Sequence, residues 1–216
     1  MARRLRGAAG LFKVGLQLFS AEGPQAVKTL AGLGFDIFLD LKFHDIPNTV
    51  AGAVRAAAAL PRVRLINVHA LGGIGMMRAA HDAVSGLRNR PALLAVTILT
   101  SMDAPELGRV GLRGSAAKRA VALARLAKRA GLDGVVAAGN EATAIRRACG
   151  PQFLIVVPGV RPTSARWNDQ ARVTTPARAV EAGADYLVVG RPITDAIDPR
   201  AAALRIASEI AAAHRH

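Results

Sequence analysis

Phe35-Asp36-Ile37-Phe38-Leu39-Asp40-Leu41-Lys42-Phe43-His44-Asp45-Ile46-Pro47-Asn48 is the stretch that decides how the rest of this chain is read. Apolar, β-prone residues run to Lys42, and Ile46-Pro47-Asn48 ends that run and opens a helix. Side chains alternate faces along a strand, so Leu39 and Leu41 point one way while Asp40 and Lys42 point the other. A strand set between two helical patterns is covered on both faces, and its second face should then be apolar too. Here that face carries an acid and a base two residues apart. Burying either charge alone is expensive, and a buried pair adds little stability. A structural ion pair at a strand end would account for two charges. A third, Asp45, follows at the carboxyl end of the strand, and the set of three points to catalysis.

The chain has 216 residues, of which 51% are hydrophobic and 20% charged. That suits one α/β domain over residues 1–216 with a sizeable core. The single cysteine, Cys149, cannot form an internal disulfide, a usage expected of a reduced, cytoplasmic protein. Uncharged runs at 91–102 and 148–160 are too short to span a bilayer. The basic start, Met1-Ala2-Arg3-Arg4-Leu5-Arg6, has the look of a signal peptide, but Lys13 interrupts the apolar segment behind it. A net charge of +14 and a pI near 11.5 would suit nucleic acid or an anionic ligand. The basic residues form no single block: Arg119, Arg125, Lys128 and Arg129 share one helical pattern, and others scatter through loops. One Trp and one Tyr cannot build a base-stacking platform. A solvated, arginine-rich surface explains the charge better than a nucleic-acid footprint.

Outward from the opening stretch, strand and helix alternate. Strands are expected at 11–16, 35–42, 65–70, 93–99, 134–138 and 153–157, with a last one from 186. Helices are expected at 23–33 with Ser20 as cap, from an Asn48 cap to 59, at 74–87, 115–130 and 141–148, at 176–182 after a Thr175 cap, and beyond Asp198-Pro199. Residues 103–114 read as loop. Such apolar, β-branched strands belong to a parallel sheet wrapped by helices. An open doubly wound sheet would carry a G-x-G-x-x-G after an early strand, and none is present. Charged inward positions on several strands favour a (β/α)8 TIM barrel, with only seven strands evident.

Lys13 lies on the strand before the opening one, and Phe12 and Val14 face away from it, so Lys13 should join Asp40 and Lys42 inside the barrel. Loops after the last two strands of such barrels often bind phosphate through backbone N–H groups. Here these are Pro158-Gly159-Val160-Arg161-Pro162 and Gly190-Arg191-Pro192, in which glycine permits close approach and Arg191 offers a fork of donors. The segment 158–174, with Arg161, Arg166, Gln170 and Arg172, is long for its position and has the length of a binding lid, or of an exposed variable loop. Ser101 can hydrogen-bond a heterocycle or cap the following turn, and His69 can be a site residue or a packing residue. No His/Asp/Glu set has metal-ligand spacing and Cys149 lacks a catalytic partner, so neither metal nor covalent catalysis is expected.

Six segments, in order, carry a resemblance: Phe12-Lys13-Val14-Gly15, Asp40-Leu41-Lys42-Phe43-His44-Asp45-Ile46-Pro47-Asn48-Thr49, Asn67-Val68-His69-Ala70, Leu99-Thr100-Ser101-Met102, Pro158-Gly159-Val160-Arg161-Pro162 and Val189-Gly190-Arg191-Pro192-Ile193. Over nearly its whole length the chain resembles the orotidine 5′-phosphate decarboxylases. The resemblance implies a homodimeric barrel that converts orotidine 5′-phosphate to UMP and CO₂ without a cofactor, in de novo pyrimidine synthesis. It implies a catalytic set of Lys13, Asp40, Lys42 and Asp45, with Lys42 as proton donor and with Asp45, Ile46 and Thr49 reaching the partner's site. Ser101 and Thr100 would meet the pyrimidine, Gln170 would bridge base and phosphate, and Pro158, Gly159, Arg161, Gly190 and Arg191 would surround the phosphate. The family's first strand usually carries a Leu-Asp segment that contacts the ribose. None precedes Leu11, so two strand edges are expected to face each other unpaired. A Mg²⁺-dependent sugar-phosphate lyase or synthase of the same barrel superfamily shares the Asp-x-Lys-x-x-Asp core, but Ile46-Pro47-Asn48-Thr49 and the Gln170 loop argue against it. A basic nucleic-acid-binding protein is the alternative from another class.

Overall fold

Period-two alternation organises the sheet in space as it does in the sequence. The computed structural model describes residues 1–162 and 174–213. Within them, seven parallel strands lie side by side in chain order: β1 (Leu11–Gly15), β2 (Asp36–Phe43), β3 (Val63–His69), β4 (Ala92–Val96), β5 (Gly134–Val136), β6 (Leu154–Pro158) and β7 (Tyr186–Val188). Each pairs with its sequence neighbour, and among the described residues no pairing joins β7 to β1. The two edges border a seam holding a cavity of about 350 Å³, with Leu11 and Lys13 on one side and Tyr186, Leu187 and Val188 on the other. The fold is a nearly closed (β/α) barrel of seven strands, in keeping with the count read from the sequence.

Helices cover the outside. The main ones are α1 (Leu16–Glu22), α2 (Pro24–Gly32), α3 (Pro47–Ala58), α4 (Gly73–Ser85), α5 (Ala104–Arg109), α6 (Ala116–Arg129), α7 (Ala142–Cys149), α8 (Pro176–Glu181), α9 (Arg191–Thr194) and α10 (Pro199–Ala213). Ile37, Leu39 and Leu41 of β2 pack outward with Ile66 and Val68 of β3 against Val50, Val54, Met76 and Met77 of α3 and α4. The intervening residues form a second core inside the barrel: Phe38, Leu65, Leu94, Val96, Val136 and Val156. Burying apolar area at about 25 cal/mol per Å² makes this two-sided burial the main stabilising term. It also fixes which face of β2 the charges must occupy.

Three local expectations are corrected. Ser20 lies inside α1 and caps nothing, because the chain is already helical from Leu16; α2 begins afresh at Pro24 after Gly23, whose φ is 59°. Asn48 does not cap α3. Pro47 opens the helix, with Ile46 in extended conformation before it and no side-chain cap, since the proline ring pre-sets φ and needs no N–H partner. Within the stretch read as loop, α5 forms behind Asp103, whose Oδ1 accepts the Glu106 N–H at 2.9 Å. The caps read at Thr175 and Asp198 form as expected, accepting Arg178 N–H at 3.3 Å and Arg200 N–H at 3.0 Å.

Candidate active site

The charges of β1 and β2 converge at the carboxyl end of the barrel. Lys42 Nζ lies 2.6 Å from Asp40 Oδ1, and Lys13 Nζ lies 3.1 Å from Asp40 Oδ2. Gly15 stands opposite Asp40 in the β1–β2 ladder. A Cβ on Gly15 would come within 2.6 Å of Lys13 Nζ, so the missing side chain leaves room for the ammonium group to fold back over the strand. Asp40 is only 8% exposed. Burial alone would raise its pKa, but hydrogen bonds from Lys42 and Asn67 and the charges of Lys13 and Lys42 outweigh it and hold the carboxyl below the usual aspartate value. One carboxylate between two ammonium groups leaves the array net positive, suited to an anionic ligand.

The backbone at this point departs from a regular strand. β2 advances from Leu39 to Phe43 while β3 advances only from Ile66 to Val68, a bulge of the kind that re-aims side chains near active sites. Within it Lys42 adopts φ 51°, a left-handed conformation uncommon for a non-glycine residue. Asn67, an inward-facing residue of β3, is fully buried. Its Oδ1 accepts the Lys42 N–H at 2.8 Å and its Nδ2 donates to Asp40 Oδ1 at 2.7 Å.

A cavity of about 170 Å³ opens over this array, lined by Lys13, Asp40, Lys42, Ile98, Thr100 and Pro158 among others. Thr100 and Pro158 thus line the same cavity as the charged groups. Ser101 is exposed on the loop after β4, next to that cavity's wall but outside its lining. Gly159 turns the chain after β6 with φ 71°. Arg161 is buried, its N–H donating to Thr174 O at 3.0 Å and its guanidinium to Val160 O at 3.4 Å. Its backbone N–H therefore joins the described residues on either side of 163–173. Gly190 and Arg191 are exposed where β7 leads into α9. Gln170, Arg166 and Arg172 lie outside the described residues. Asp45, Ile46 and Thr49 are exposed beyond the array, and Asp45 Oδ1 accepts the Ile46 N–H at 2.6 Å.

His69, at the end of β3, stacks on His44 with ring centroids 5.3 Å apart, and its Nδ1 accepts the Leu71 N–H at 3.3 Å. Burial, then the nearby His44 and Lys42 charges, push its pKa down, which favours the neutral ring. A larger cavity of about 690 Å³ opens at the amino-terminal end of β4–β6 beside Arg90, Asp133 and Cys149, far from these groups. Among the described residues, no group of three or more His, Cys, Asp or Glu side chains is placed to hold a metal ion.

A family model described as "Orotidine 5'-phosphate decarboxylase / HUMPS family" matches residues 1–206. The chain belongs to that family. An orotidine 5'-phosphate decarboxylase from Nitrosococcus oceani is 51% identical over 210 residues, 97% of this chain and 90% of the relative. One from Halorhodospira halophila is 56% identical over 201 residues, 93% of this chain and 85% of the relative. The crystal structure of orotidine 5'-phosphate decarboxylase from Lactobacillus acidophilus superposes with a TM-score of 0.81 at 38% identity, covering 96% of this chain and 93% of that one. The match to the orotidine 5'-phosphate decarboxylase / HUMPS family takes in every candidate residue, from Lys13 to Arg191. Sequence reasoning missed Asn67 and Gly15 as parts of the array. The signal available was a polar residue on the inward face of β3, two positions before His69, and a glycine directly after Lys13-Val14.

Proposed function

We propose that this chain is an orotidine 5′-phosphate decarboxylase, a cofactor-independent carboxy-lyase that yields UMP and CO₂. The observation that carries the reading is the buried carboxylate of Asp40 clasped by two ammonium groups, Lys13 and Lys42, beneath a cavity at the carboxyl end of the strands. Loss of CO₂ from the orotate ring leaves a carbanion with no adjacent electron sink. Enzymes lower barriers by about 8–23 kcal/mol, and this reaction needs the upper part of that range. An ammonium group at the developing carbanion stabilises charge that exists only in the transition state, which raises turnover and not merely affinity. Lys42 then delivers its proton to the ring carbon that lost CO₂. Asp40 stays ionised and fixes both ammonium groups in place, so the donor is in position before substrate arrives.

Thr100 and Ser101 read the pyrimidine edge, and the Pro158-Gly159 and Gly190-Arg191 loops take the phosphate. Phosphate binding is remote from the reacting bond, and its energy holds the ring against the array. Asp45, Ile46 and Thr49 complete the site of a second copy in a homodimer. Their exposure, and above all that of Ile46 at 66%, supports this reading. Residues 1–216 then act as one barrel domain in the cytoplasm, where a lone buried thiol stays reduced. The test is loss of the orotidine 5′-phosphate absorbance with and without EDTA. Decarboxylation that resists EDTA is expected, and absent or EDTA-sensitive turnover overturns the reading.

A further inference from the structure

Lys42 is the residue on which the chemistry turns, yet its backbone sits where a strand residue is least secure. In the β2 bulge the regular ladder lapses between the Leu39–Ile66 and Phe43–Val68 pairs. The Lys42 N–H points instead at the Asn67 side chain, 2.8 Å away. The amide has only one workable orientation. A backbone N–H can only donate and an ionised carboxylate can only accept, so Oδ1 must face Lys42 and Nδ2 must face Asp40. Asp40 Oδ1 in turn receives Lys42 Nζ at 2.6 Å, which closes a loop through both ends of the lysine. Asn67 has no solvent exposure, so water cannot stand in for it. Leucine would satisfy neither partner, and an ionised aspartate would meet the Asp40 carboxylate without a proton to donate.

We propose that Asn67 is a positioning residue, which locks the left-handed Lys42 backbone and the Asp40 carboxylate into one geometry so that Lys42 Nζ meets the reacting carbon. The proposal rests on the decarboxylase reading and adds to it a residue that never touches substrate. Misplacing a catalytic group by about 1 Å costs on the order of 100-fold in rate.

The experiment compares wild type, Asn67→Ala and Asn67→Asp by steady-state decarboxylation from about pH 6 to about pH 8, by calorimetric UMP binding and by thermal melting. Asn67→Ala is expected to lose about 100-fold in kcat while KM and UMP affinity stay within about threefold of wild type, because ground-state contacts are untouched. Asn67→Asp keeps the volume and the acceptor for the Lys42 N–H. Beside Asp40 its own carboxyl is driven to hold a proton, and only the protonated form restores the donor. Its kcat relative to wild type should therefore climb as pH falls. The assignment is overturned by wild-type kcat in Asn67→Ala, by a parallel loss of UMP binding, or by an Asn67→Asp ratio that is flat with pH. Should Asn67→Ala fail to fold, the pH dependence of Asn67→Asp decides alone. Absence of turnover in wild type overturns the decarboxylase reading itself, whereas active wild type with unaffected variants overturns only the role of Asn67.

Discussion

Asp40 carries two opposed demands: burial favours its neutral form, and two lysines and an asparagine favour its charged form, which prevails. The sign of its contribution to stability follows. With a folded pKa below the 3.8 of a free aspartate, its stabilisation is present in full above that value and is lost as pH falls through the folded pKa. The melting temperatures of wild type and Asp40→Asn should thus differ by a constant amount across neutral and mildly acidic pH, and should approach each other only below about pH 4. A gap that already closes near neutrality would mean that Asp40 is not held ionised. For Lys42→Ala, loss of the ammonium group should lower kcat by about 10³-fold or more while UMP still binds calorimetrically; near-normal turnover would remove Lys42 from the mechanism. At this scale Lys13, Asp40 and Lys42 were legible in the sequence because alternation along an apolar strand leaves no other face for them. The inward polar position of Asn67 was legible too, but its role was not, because that role comes from a bulge, and a register shift leaves no trace in the side-chain pattern.

Elements of this barrel are anchored by a device repeated at three strand entrances. Gly34-Phe35-Asp36, Gly131-Leu132-Asp133 and Gly183-Ala184-Asp185 each end a helical segment on a glycine with φ of 86°, 89° and 98°, then place an aspartate at the head of a strand. Glycine is required there because a Cβ strains a left-handed backbone. Every aspartate takes an arginine: Arg62 on Asp36 at 3.0 Å, Arg90 on Asp133 at 2.6 Å and Arg146 on Asp185 at 2.7 Å. Asp133 and Asp185 also accept the N–H of Leu93 and Ile155 on the strand before, both at 2.7 Å. Arg146 goes further, donating to the carbonyls of Gly150, Pro151, Phe153 and Gly183. Arg146→Ala should therefore destabilise by about 2 kcal/mol, read as a drop of roughly 4–8 °C in Tm, with kcat per folded enzyme unchanged. An unaltered Tm would show that these bonds are replaced by water without loss. Element positions were readable from periodicity, and the Thr175 and Asp198 caps from residue type. The Ser20 and Asn48 caps were misread because a nearby glycine or proline set the helix start first.

At the scale of the whole molecule, the net charge of +14 is carried by basic residues in excess of the ion pairs, since each arginine–aspartate pair at the bottom of the barrel is neutral. The seam between β1 and β7 sets the other global property, since parallel edges left unpaired carry no ladder to protect their amides. Hydrogen exchange should be faster at seam-facing amides of β1 and β7 than in β3 and β4, which are paired on both sides; equal protection would mean that the edges are joined in solution. By itself the sequence determined the alternation of strand and helix, the inward set of Lys13, Asp40 and Lys42, and the family, because each is written in local period and residue type. Only the tertiary structure decided that Asn67 ties two of them together and that Arg161 is buried. Those are matters of register and long-range contact, which neighbouring residues in a chain do not specify.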